Sequence, residues 1–182
     1  MIGAVIALDT EAEALLDQME IENILTVHGK PVYLGKAFGK DVALCVCGVG
    51  KVNAAVGTCA VLEKGADSVL NFGVAGGLCD QTELTEVYLI DKAVQYDFDI
   101  TQLEGGEVGT LDGETENFLP LYVPASLDYP RRALGTGDRF NDSPADHDLL
   151  IRLGAHIRDM EGAAIAQVCK YAGVPLVSVK AI

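Results

Sequence analysis

The chain has 182 residues, 49% of them hydrophobic, and carries 27 Asp and Glu against 13 Lys and Arg for a formal net charge of −14. That balance argues against nucleic acid and against an acidic membrane surface as partners, because affinity for a polyanion rests on Lys and Arg neutralising phosphates. No uncharged apolar run reaches the roughly 18 residues that span a bilayer, and the opening MIGAVIALDTEAEALL lacks a basic n-region, so it is not expected to be a signal peptide.

The first apolar run, Ile2–Leu8, is followed by Asp9-Thr10, which predicts a cap for a helix over Glu11–Met19. Val32–Phe38 and Val42–Cys47 read as two strands of a hairpin around Gly39-Lys40-Asp41. Gly48-Val49-Gly50 breaks the chain before a helix over Lys51–Lys64, whose Ala54, Ala55, Gly57 and Ala60 allow close packing on a sheet. Ser68–Val74 is a strand ended by Ala75-Gly76-Gly77, and Glu86–Tyr96 is a long strand. Leu103–Pro130, rich in Gly, Glu, Pro and Thr and without periodicity, predicts a long loop. Ala133–Thr136 is a short strand, Ser143-Pro144 a helix start, Met160–Tyr171 a helix stopped at Gly173, and Leu176–Ile182 the last strand. Strands alternating with helices predict an α/β three-layer sandwich with a central mixed, mostly parallel sheet, formed as one domain over 1–182. A mean hydropathy of +0.26 fits buried strands and a subunit interface. The five cysteines, an odd number without framework spacing, predict reduced, buried thiols of a cytoplasmic protein rather than disulfides or a metal site.

Four groups sit where an α/β protein places its chemistry, at strand ends. Glu11 opens the first helix and could take a proton from water; the plain alternative is a carboxylate offsetting the helix dipole. The glycine turns Gly48–Lys51 and Phe72–Gly77 let a ligand approach the backbone, or are simply tight turns. They match neither a dinucleotide fingerprint nor a phosphate-binding loop. Phe140, in Gly137–Phe140, suits stacking on a flat base, unless it anchors the core. Glu161 opens a helix of small residues, and its two oxygens match two vicinal hydroxyls; the plain alternative is again a helix-start acid.

In order and combination these stretches resemble the bacterial 5′-methylthioadenosine/S-adenosylhomocysteine nucleosidases of the nucleoside phosphorylase superfamily. The resemblance rests on IGAVIALDTEAEALL, GVGKVNAAVGTCAVLEKGADSVLNFGVAGGL, EVYLIDKAVQYDFDIT, GTGDRF and DMEGAAIAQVCKYAGVPLVSVKAI. It implies a purine nucleosidase without cofactor or metal, acting on a small-molecule nucleoside as a homodimer. It makes Glu11 the residue that activates water. Val49 and Val74-Ala75-Gly76 would line the ribose and purine pocket, Phe140 would stack on the base, and the Asn141 backbone would read the purine edge. Met160 would lie under the sugar and Glu161 would hold its hydroxyls. Ile100 and Leu103 would cover the partner subunit's pocket.

The sequence also departs from the family. Val74 stands where the family usually has Ser. The closing Val179-Lys180-Ala181-Ile182 matches a motif that usually reads Val-Arg-Ala-Ile-Ser-Asp, whose Asp protonates the departing purine. The expectation is therefore a nucleosidase lacking the family's C-terminal segment and its general acid, with activity in doubt. A phosphorylase needs a phosphate clamp, usually Arg. Neither glycine turn carries one, which favours hydrolysis over phosphorolysis; a nucleoside-binding relative without catalysis is the other alternative.

Overall fold

The apolar runs assemble into an eleven-stranded sheet that curls back on itself. The computed structural model describes residues 1–140 and 143–182. In chain order the elements are β1 (Ile2–Ile6), α1 (Asp9–Leu16), β2 (Glu20–Val27), β3 (Lys30–Ala37), β4 (Lys40–Val46), α2 (Lys51–Glu63), β5 (Ser68–Val74) and β6 (Gly76–Gly77). They continue with β7 (Val87–Gln95), β8 (Leu119–Pro120), β9 (Arg131–Thr136), α3 (Pro144–Leu153), β10 (Ile157–Asp159), α4 (Gly162–Ala172) and β11 (Leu176–Ala181).

The strand order is β2-β3-β4-β1-β5-β11-β7-β9-β10-β6, with β8 paired to β7. Neighbours from β4 through β1 and β5 to β11 run parallel, as do β7, β9 and β10. β7 lies antiparallel to β11, and β2, β3 and β4 form an antiparallel meander at one edge. β6 begins two residues after β5 ends, yet it pairs with β10, four strands further along. Two residues span at most ~7 Å. The far end of the sheet is therefore folded back to the carboxyl end of β5, and this closure makes the cavity.

Both faces of the sheet are covered. Along β1, Val5 packs toward α2 and α4, while Ala4 and Ile6 pack toward α1. The small residues of α2 act as expected: a side chain on Gly57 would come within 2.5 Å of Cys47 Cβ. Cys45, Cys47 and Cys169 are buried, and burial pushes their thiols up to about 11, about 12 and about 12. Cys59 corrects the expectation of buried thiols, because it lies on the exposed face of α2.

Several elements differ from the sequence reading. β2 was hidden because most of its residues are exposed on an edge strand, so no buried face marked it. The hairpin turn is Phe38-Gly39, with Lys40 and Asp41 already in β4. The first helix starts at Asp9, capped by Leu8, and α4 starts at Gly162 with Glu161 as its N-cap. Glu11 thus stays within the first turn of α1, whereas Glu161 stands just outside α4 and accepts the Gly50 N–H. Among the described residues no helix is long and apolar enough to cross a membrane.

Candidate active site

A cavity of about 560 Å³ opens where the turns after β1, β4, β5, β9 and β10 converge. That volume lies in the range of small-molecule sites, roughly 300–1,000 Å³. Glu11, Val49, Phe140 and Glu161 all line it, although 150 positions of sequence separate the first from the last. So do the Val74-Ala75-Gly76 turn and Met160. Asn141 lies outside the described residues. Ile100 and Leu103 do not line the cavity of their own chain; Ile100 is half-buried and Leu103 exposed.

Glu11 is no solvent-facing helix acid. Its Oε1 accepts the Val74 N–H at 2.8 Å and its Oε2 accepts the Leu8 N–H at 3.1 Å. This carboxylate staples the end of β5 to the start of α1. Gly73 makes the staple possible, since a Cβ there would sit 2.5 Å from Glu11 Oε1. The sequence reading placed Gly73 in the Phe72–Gly77 turn as room for a ligand or a tight turn; the structure puts it in β5, where the room it leaves is taken by Glu11.

Glu161 is only 7% exposed, and its Oε1 accepts the Gly50 N–H at 2.8 Å. Burial, then the neighbouring Asp159, raise its pKa; the Gly50 N–H, Lys180 and the Met160 N–H oppose them. Behind it lies an ion pair that sequence reasoning missed. Lys180, 2% exposed, meets Asp159 Oδ2 at 2.9 Å. The same oxygen accepts the Gly162 N–H at 2.9 Å, and Asp159 Oδ1 accepts the Thr136 hydroxyl at 2.5 Å. A lysine in the otherwise apolar VSVKAI was the available signal, because a charge in a central strand demands a buried partner.

The start of α2 is tied to the loop after β9 by a second network. Lys51 Nζ contacts Asp97 Oδ1 at 2.6 Å, and Asp97 Oδ2 accepts the Asp138 N–H at 2.8 Å. Asp138 Oδ1 in turn accepts the Lys51 N–H at 2.8 Å. The start of α2 is thus closed by two carboxylates, Glu161 on Gly50 and Asp138 on Lys51. Gly137 passes so near Tyr96 that a Cβ would meet its ring at 2.5 Å. Beyond these ties, Phe140 is 96% exposed, which corrects the alternative of a core anchor.

Two arginines also line the cavity, Arg139 and Arg158. Arg139 pairs with Asp146 at 2.8 Å and lies over the Tyr96 ring. Arg158 lies along Gly76. The sequence had shown only that the glycine turns carry no arginine. Among the described residues no cluster of three or more His, Cys, Asp or Glu could hold a metal ion.

Residues 1–182 match the model of the Phosphorylase superfamily. The 5′-methylthioadenosine/S-adenosylhomocysteine nucleosidase of Shewanella halifaxensis (strain HAW-EB4) is 31% identical over 195 residues, covering all of this chain and 84% of that protein. The structure of a futalosine hydrolase mutant of Helicobacter pylori strain 26695 superposes with a TM-score of 0.90 at 23% identity, covering 100% of this chain and 88% of that one. The Neisseria meningitidis 5′-methylthioadenosine/S-adenosylhomocysteine nucleosidase in complex with methylthio-immucillin-A gives 0.89 at 26%, covering 98% and 83%.

Proposed function

This chain belongs to the phosphorylase superfamily, and from that premise we propose that it is a purine nucleosidase. It hydrolyses the N-glycosidic bond of 5′-methylthioadenosine, S-adenosylhomocysteine or a related purine nucleoside. Glu161 accepts the two ribose hydroxyls, Met160 lies under the sugar, and Phe140 covers the base. Glu11 takes a proton from the attacking water.

One observation carries hydrolysis over phosphorolysis. Glu11 already occupies the Val74 and Leu8 N–H groups at the turn where a phosphate would need donors. The start of α2 is filled in the same way by Glu161 and Asp138. Backbone donors taken by carboxylates repel a second anion, whereas neutral water can still accept or donate beside Glu11.

Cleavage also has to relieve charge on the departing purine. Asp159 is engaged by Lys180, Thr136 and Gly162, and Glu11 and Glu161 have the roles just given.

Assays on 5′-methylthioadenosine with and without inorganic phosphate test the reading. Free methylthioribose formed at a phosphate-independent rate is the expected product. A sugar 1-phosphate formed only with phosphate would make the chain a phosphorylase, and binding without either product would make it a binding protein. The exposed Val49, Val52, Val74 and Leu103 support a homodimer that covers the cavity mouth. Light scattering at micromolar concentration tests this, and a monomer there counts against it. A cytoplasmic location is part of the proposal and is tested by fractionation.

A further inference from the structure

We infer that Lys180 is a positioning residue of the site. As the buried cation behind two buried carboxylates, it holds Asp159 and so keeps Glu161 charged, able to accept a sugar diol at neutral pH. The inference rests on the nucleosidase reading and deepens it by naming what sets the working pH of the site.

Three observations carry it. First, Asp159 and Glu161 are two residues apart, and both line the cavity. Both are also buried, with Glu161 7% exposed and the Asp159 side chain 2%. Second, Lys180 reaches them from β11, behind the cavity wall. It is itself 2% exposed, does not line the cavity, and its Nζ meets Asp159 Oδ2 at 2.9 Å. Third, the two carboxylates are supplied unequally with other donors. Asp159 also has the Gly162 N–H and the Thr136 hydroxyl, at 2.9 and 2.5 Å. Glu161 accepts the Gly50 N–H at 2.8 Å.

Electrostatics then decides where a proton goes. Two carboxylates that share a buried site do not both stay ionised unless a cation offsets them. Lys180 is that cation. Without it one carboxylate must take a proton. Asp159 keeps two donors and is by nature the stronger acid, so the proton falls on Glu161. A neutral carboxyl accepts hydroxyls less strongly than a carboxylate does. The other groups around Glu161 do not replace Lys180. The Cys47 thiol of β4 is pushed up to about 12 and is neutral. Asp138 holds the Lys51 N–H next to Gly50, and Glu11, Arg139 and Arg158 line other parts of the cavity. Burial and Asp159 push Glu161 toward its neutral form, and the Gly50 N–H, Lys180 and the Met160 N–H oppose them.

The test uses two readouts across pH for the wild type, Lys180→Met, Lys180→Arg and Asp159→Asn. One is the affinity for 5′-methylthioadenosine by calorimetry, in a Glu11→Gln background that leaves the nucleoside intact. The other is the Glu161 carboxyl titration in the ligand-free protein by carbon-13 NMR. Lys180→Met should lose about tenfold or more in affinity at neutral pH, the scale on which one opposite charge alters the ionisation of a neighbouring acid. Its affinity step and its carboxyl titration should both move to higher pH. Asp159→Asn should move both to lower pH, and Lys180→Arg should keep them near the wild type. A purely structural role would weaken binding at every pH and leave the titration in place, which overturns the inference. Shifts of the same sign in Lys180→Met and Asp159→Asn also overturn it, as does a proton found on Asp159 in Lys180→Met. Circular dichroism checks folding, and Asp159→Asn, which changes little volume, decides if Lys180→Met does not fold. If the wild type neither binds nor cleaves the nucleoside, the nucleosidase reading falls, and the carboxyl titration alone decides whether Lys180 governs Glu161.

Discussion

The two walls of the cavity are built differently. On the wall proposed for the sugar, Glu11 and Glu161 are held by backbone N–H groups of distant segments and backed by a buried Lys180–Asp159 pair. On the wall proposed for the base, the Lys51–Asp97–Asp138 network fixes the loop up to Asp138. Beyond it Phe140 projects almost wholly into solvent. The first wall is tied to the core by side-chain contacts, whereas the second ends in an exposed aromatic. Preorganisation belongs where charge changes during reaction, and a stacking surface needs only to be present.

Substitutions can break or sharpen this contrast. Glu11→Gln should have the largest effect, lowering kcat by about 100- to 10,000-fold, the usual range for a general base, with nucleoside affinity nearly unchanged. Comparable losses in kcat and affinity would mean that Glu11 holds substrate rather than activating water. Lys180→Met strands Asp159 and should cost about 3–5 kcal/mol in urea unfolding, as for one partner removed from a buried ion pair. A loss below about 1 kcal/mol would show that the sugar side is not tied to the core as described.

Glu161→Gln should weaken nucleoside binding about tenfold to a hundredfold, since a neutral amide accepts the ribose hydroxyls less strongly. The pH dependence has a definite sign. Burial and Asp159 raise the Glu161 pKa above its ordinary 4.5. Nucleoside affinity should therefore begin to fall while the pH is still above that value, and the Gln variant should lack this step. In the ligand-free protein the sign is opposite. Stability contributed by Glu161 is full below 4.5 and is lost as the pH rises through its raised pKa. Phe140→Ala should weaken binding on a similar scale, about 1–3 kcal/mol for one stacked base. It should leave the unfolding midpoint of the ligand-free chain in place. A marked loss of stability would remove the difference between the two walls.

The sequence exposed some of this plainly and hid the rest for physical reasons. β5 and the start of α3 were legible to the residue, because an uninterrupted apolar run and a Ser-Pro cap are local signals. Glu11, Phe140 and Glu161 were legible as candidates through the family resemblance. By local pattern alone each matched a helix-start acid or a core aromatic. The closure of the sheet through β6 could not be read, since two glycines carry no periodicity. Nor could the Lys51–Asp97–Asp138 network, whose members lie 46 and 87 positions from Lys51. Charged residues far apart in sequence look like solvated surface until the fold brings them together.

The carboxylate staples have a consequence for isotope exchange. The amide hydrogens of Leu8, Gly50, Lys51 and Val74 belong to helix starts and a strand end, positions that usually surrender their hydrogens quickly to solvent. Here each is bonded to a side-chain oxygen of Glu11, Glu161 or Asp138. Placed in heavy water, the empty protein should retain these four signals after those of neighbouring turns have faded. Their decay would time how often each wall of the cavity opens by itself.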